Sequence, residues 1–103
     1  MNYITRETRL ESYLSLVGKR SKKHQEIIKF MYYIVTPITA KELSVMMFNQ
    51  GLISSNERNE TAPRLTELEA MNIVEVVEKA ICKYTGKRVA LYQLTANNIS
   101  NTI

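Results

Sequence analysis

The side chains best suited to chemistry lie in two runs. The first is Ser55-Asn56-Glu57-Arg58-Asn59-Glu60-Thr61-Ala62-Pro63-Arg64. An asparagine amide matches the N6/N7 edge of adenine, and an arginine fork matches O6/N7 of guanine. Asn59, Arg58 and Arg64 are therefore candidate base readers. Thr61 and Ser55 are candidates for phosphate contacts, which fix position without reading sequence. The plainer alternative makes Asn59 and Thr61 helix caps and pairs Arg64 with Glu60 or Glu67. The second run is Lys83-Tyr84-Thr85-Gly86-Lys87-Arg88, and no acid follows Lys79. Lys83, Tyr84, Lys87 and Arg88 suit phosphates or a minor groove, and the alternative is a solvated tip. DNA contact is the favoured reading of both runs.

Other chemistries are poorly served. The chain has one histidine, His24, one cysteine, Cys82, and no aspartate. A single cysteine excludes an intrachain disulfide and an intrachain thiolate zinc site. Lys79 and Lys83 are near enough in sequence to favour a thiolate, but a plain thiol is the simpler expectation. The lack of aspartate removes most EF-hand, kinase and phosphatase patterns. There is no glycine-rich phosphate loop and no nucleophile–base pattern. Glu67 and Glu69 are two positions apart, which sends their carboxylates to different sides of a helix. The expectation is a non-enzyme without cofactor or metal, with His24 a surface or helix-turn residue.

Composition sets the frame. The 103 residues are 45% hydrophobic and 23% charged, with net charge +4. That suits one globular domain, residues 1–95, with a loose polar tail at 96–103. No apolar run approaches membrane-spanning length, so the expected location is cytoplasmic. Charge is segregated along the chain. Lys19, Arg20, Lys22 and Lys23 cluster at one end, and Glu57, Glu60, Glu67, Glu69, Glu75 and Glu78 crowd the middle. The first cluster reads as a soluble turn.

The elements that must position these residues follow from periodicity. Leu10, Tyr13, Leu14 and Val17 form a helical stripe within about Thr5 to Val17, and Gly18 stops it. Ile27, Phe30, Met31, Ile34 and Val35 mark a second helix from about Ser21 to Val35, with Ser21 as N-cap. Pro37 breaks the pattern. Thr39 and Glu42 spell a capping box for a third helix carrying Leu43, Met46 and Met47 and ending near Gly51. Met46, Met47 and Phe48 read as core or interface. A fourth helix covers about Thr61 to Asn72, with Pro63 in its first turn and Leu65 and Leu68 inward. Two β-rich runs, Ile73–Val77 and Val89–Leu94, then make a hairpin with a long basic tip.

Three helices followed by a hairpin is the winged helix-turn-helix order, with one extra helix in front. The fold class expected is α+β, mainly α. The run Arg58 to Val74, with Pro63-Arg64-Leu65-Thr66-Glu67-Leu68 opening its helix, resembles small winged-helix proteins of phages and prophages, broadly like MarR-type regulators. Thr85-Gly86-Lys87-Arg88 resembles the wing tip of such proteins, and Pro37 to Leu43 resembles the start of their second helix. The resemblance covers Lys22 to Thr95. It implies a transcriptional regulator that places the helix at 61–72 in the major groove of double-stranded DNA and a basic wing, about 79–88, on the backbone. The stripe Leu10, Tyr13, Leu14 and Val17 must be buried on its own domain or on a second subunit, and a homodimer is favoured. No membrane contact or small-molecule ligand is expected. The rival is a protein-interaction module on the same scaffold, a replication adaptor or host-factor inhibitor, favoured by the acids from Glu57 to Glu69.

Overall fold

The computed structural model describes residues 6–18 and 22–95. Lys19, Arg20, the expected cap Ser21 and the expected tail at 96–103 lie outside them. The fold is α+β and mainly helical. Its order is α1 (Arg6–Val17), α2 (Lys22–Ile34), α3 (Ala40–Asn49), a 3-10 turn (Arg58–Glu60), α4 (Ala62–Ala70), β1 (Val74–Ile81) and β2 (Arg88–Leu94).

Helix ends follow local chemistry. Gly18 closes α1 at φ +67, and its N–H donates to Leu14 O at 3.0 Å. The Thr39–Glu42 capping box is present, with 3.1 Å for both reciprocal bonds. α3 ends in a paired cap, Gly51 N to Phe48 O and Leu52 N to Met47 O, which needs a left-handed residue and finds Gly51. α4 ends the same way, with Asn72 at φ +63 in that place and Ile73 N bonded to Leu68 O. α2 ends differently. Val35 has φ +68, and Thr36 N bonds Ile34 O across it, an unusual conformation for a β-branched residue.

The core lies between the helices and the inner face of the hairpin. Ile27, Ile28, Leu43, Met47, Leu65, Leu68 and Ile73 are fully buried. Met46 and Phe48 flank buried Met47 but are exposed. Tyr13 and Val17 are buried in this same core, and Leu10 and Leu14 pack against it. The Tyr13 hydroxyl donates to Thr95 O, which ties α1 to the end of β2. This is the first of the two expected alternatives, and it corrects the use of that stripe as a dimer surface: Tyr13 and Val17 are already covered.

The hairpin is antiparallel, from Val74 opposite Leu94 to Ile81 opposite Arg88. β1 runs four residues past its expected end at Val77, so Lys79 sits within the ladder opposite Ala90. A register shift falls between Val76 and Glu78, leaving Val77 as a bulge that sharpens the local twist. Ile38 forms an isolated bridge with Tyr92, with bonds of 2.9 and 2.8 Å. The Pro37 break thus contributes a stub to the free edge of β2. The element order and this bridge are compatible with the winged helix expected from sequence.

Candidate nucleic-acid interface

Arg58 of the first run meets the hairpin turn of the second at the start of α3, beside Lys41. Ala40, Lys41, Arg58, Cys82 and Thr85 are among the residues that line one small cleft there, and among the described residues no carboxylate lines it. Each arrives by a different route. Lys41 follows the capping box, and its Nζ donates to Asn56 O at 2.8 Å. Arg58 opens the 3-10 turn and is exposed. Thr85 belongs to the hairpin turn. That turn is closed by Cys82 N to Lys87 O and Gly86 N to Cys82 O, both 2.8 Å. Gly86 has φ +71, which glycine adopts without strain. Lys83, Lys87 and Arg88 are exposed around it, and Lys83 Nζ lies 5.3 Å from the Tyr84 ring centroid. Two cations therefore line one cleft that borders the hairpin turn, and the turn itself carries three exposed cations; positive charge of this kind favours anions.

Cys82 lies under this turn and is buried. Burial pushes its thiol up. Hydrogen bonds from the Thr85 side chain, the Tyr84 and Thr85 backbone and the Thr39 side chain outweigh burial and hold it below its ordinary value.

The remaining candidates divide. Asn59 is exposed in the 3-10 turn. Ser55 Oγ accepts from Glu57 N at 3.0 Å, so it first serves its own turn. Thr61 corrects both expectations for it. It is fully buried and makes no side-chain cap bond. Its Oγ1 donates to Ala40 O at 2.8 Å and lies 2.8 Å from Ser44 Oγ. It fastens α4 to α3 and cannot reach a phosphate. Arg64 takes the plainer alternative and pairs with Glu67, Nε to Oε1 at 2.9 Å. It does not line the cleft.

The acids of the middle stretch are partly spent within the chain. Glu60 Oε2 pairs with Lys23 Nζ at 3.2 Å. Glu67 Oε1 also meets His24 Nε2 at 2.8 Å, so His24 is a bridge between α2 and α4 and is mostly shielded. Val17, His24, Glu67, Ala70 and Met71 line an open pocket of about 370 Å³ beside that bridge. Glu57 and Glu69 remain exposed.

Two residues escaped sequence reasoning. Lys41 had a local signal, since the first turn after a capping box is where a helix offers its amides. His24 had none, because its partner is forty-three positions away. Among the described residues, no helix is long and apolar enough to cross a membrane. The same residues hold no group of three or more metal-ligating side chains. No protein-family model matches the chain, and neither does any curated protein or solved structure compared with it.

Proposed function

We propose that the chain is a winged-helix protein that binds double-stranded DNA and acts as a transcriptional regulator of phage or prophage type. In this reading α4 enters the major groove and the turn from Cys82 to Lys87 lies on the flanking backbone. Arg58, Lys83, Lys87 and Arg88 hold phosphates, with Lys41 added to them, and Asn59 and Arg64 face bases. Phosphate charge supplies most of the affinity in such complexes. The observation that carries the proposal is the meeting of Lys41, Arg58 and the hairpin turn at one carboxylate-free cleft. The pairing of Glu60 with Lys23 and of Glu67 with Arg64 supports it, since those acids already face cations within the chain. A second copy, if the protein works on paired half-sites, docks on a surface other than the covered Tyr13 and Val17.

A second reading has its own observation. The solvent face of α4 presents Glu67 and Glu69 and no basic residue free of an acid partner. Such a face suits a basic protein partner, and the scaffold would then be an interaction module. Fluorescence anisotropy with random-sequence duplex DNA separates the two. DNA binding at about 50 mM salt that weakens sharply by about 200 mM supports the first reading. No binding at the lower salt overturns it and directs the search to a protein partner.

A further inference from the structure

We propose that the pocket between α1, α2 and α4 binds a small, uncharged, apolar molecule carrying one N–H or O–H donor, with Glu67 as the acceptor. The inference stands apart from the DNA-binding reading, because none of the residues lining this pocket lines the cleft at α3.

Three helix ends meet at this pocket. Val17 is the last residue of α1, His24 lies in the first turn of α2, and Ala70 and Met71 end and cap α4. The corner between α1 and α2 is tied by Gln25 Nε2, which donates to Gly18 O at 2.6 Å. The end of α4 is closed by Met71 N, which donates to Glu67 O at 3.1 Å. These bonds hold the walls without a ligand, so binding costs little ordering. The space is about 370 Å³. Small-molecule sites span about 300–1,000 Å³ and are mostly apolar, with a few placed polar groups. Here Val17, Ala70 and Met71 supply the apolar wall, and His24 and Glu67 supply the polar one.

The polar wall decides the class of ligand. Glu67 Oε1 lies 2.8 Å from His24 Nε2 and 2.9 Å from Arg64 Nε. Oε2 has a looser contact, with Arg64 Nη2 at 3.4 Å. The Glu67 side chain is 49% exposed, and an ionised carboxylate offers about four acceptor sites and no donor. It has capacity for one more donor from a ligand. Among the described residues, no lysine or arginine lines the pocket. An anion finds no counter-charge on that wall and meets the Glu67 carboxylate. A cation gains little, because Arg64 already faces Glu67. An apolar body with a single uncharged donor satisfies both walls.

Methyl NMR titration of the full chain with indole, 1-methylindole and indole-3-carboxylate tests this. Indole carries one N–H donor, methylation removes it, and the carboxylate adds an anion. With indole, wild type is expected to show saturable shifts at the Val17, Ala70 and Met71 methyls. Its affinity for indole is expected to exceed that for 1-methylindole by about fivefold or more, the worth of one net hydrogen bond. Indole-3-carboxylate binds more weakly than either. Glu67→Ala brings indole down to the level of 1-methylindole and leaves 1-methylindole binding in place, a pattern that loss of folding does not produce. Ala70→Phe fills the space and abolishes binding of both neutral probes while the urea midpoint stays near wild type. Absence of saturable shifts at these methyls with indole, equal affinities for indole and 1-methylindole, or tightest binding of the carboxylate overturns the inference. The DNA-binding reading stands or falls separately, on the duplex titration.

Discussion

Removing the Thr61 hydroxyl tests the correction that the structure makes to this residue. Thr61 and Ser44 are both fully buried. The Thr61 hydrogen goes to Ala40 O, so Ser44 is the donor across the 2.8 Å contact to Thr61 Oγ1. Thr61→Val keeps the shape and deletes both bonds, each worth about 1 kcal/mol net. The stranded Ser44 hydroxyl adds a desolvation cost of about 1–3 kcal/mol unless it turns to the Ala40 carbonyl one turn back. With that rotation one bond is regained and the loss is about 1 kcal/mol, and without it about 3–5 kcal/mol. Ser44→Ala removes one bond and leaves Thr61 satisfied, costing about 1 kcal/mol. The double variant should cost about as much as the two deleted bonds alone, because no hydroxyl is then stranded. Urea unfolding of the four proteins gives the coupling energy directly. On heating, Thr61→Val should melt roughly 4 °C or more below wild type. A Thr61→Val protein within about 0.5 kcal/mol of wild type would refute the reasoning, and so would a loss above about 3 kcal/mol that stayed strictly additive with Ser44→Ala.

Three further outcomes are expected. Val35→Asn should stabilise by about 0.5–1 kcal/mol, because Val35 is 69% exposed and holds a left-handed φ that asparagine tolerates better; a higher urea midpoint at constant slope is the readout, and a lower one would count against the strain. Tyr13→Phe should cost about 1 kcal/mol by unfastening α1 from Thr95, read by the same unfolding curve. Cys82 should react with a thiol reagent far more slowly in the folded chain than in urea, since it is 1% exposed. Its folded pKa lies below the ordinary 9.0, so the stabilisation from its ionisation is full above that value and is lost as pH falls through the folded pKa. Cys82→Ala should flatten that part of the curve of urea midpoint against pH.

Much of the fold was legible because its signals are local. The Thr39–Glu42 capping box, the glycines after α1 and α3, and Pro63 in the first turn of α4 all act within a few residues of themselves. What escaped depends on distant partners. Ile38 lies in a three-residue break, and only its pairing with Tyr92 makes it part of a sheet. β1 runs past Val77 because the bulge there absorbs a register shift, allowing Lys79 and Ala80 to continue the ladder. Thr61 looked like a cap from its place before Ala62-Pro63, yet α3 packs close enough to claim its hydroxyl. The site shows the same division. The basic run around the hairpin turn could be read directly, but the cleft that Thr85 of that turn shares with Lys41 and Arg58 is set by how α3 packs on β2. The acids of the middle stretch look repulsive to DNA in sequence; helical spacing offers Arg64 to Glu67, and only folding supplies Lys23 and His24 as partners.

The most direct test of DNA binding through the cleft and the hairpin turn is the salt dependence of affinity for a random-sequence duplex. The logarithm of the binding constant falls against the logarithm of salt with a slope of about −0.9 per neutralised phosphate. Lys87→Ala/Arg88→Ala should make that slope shallower by about 2, and Arg58→Ala by about 1. Lys29→Ala, which removes an exposed charge from α2, should leave it unchanged. No binding at about 50 mM salt, or one common slope for all four proteins, would contradict the assignment.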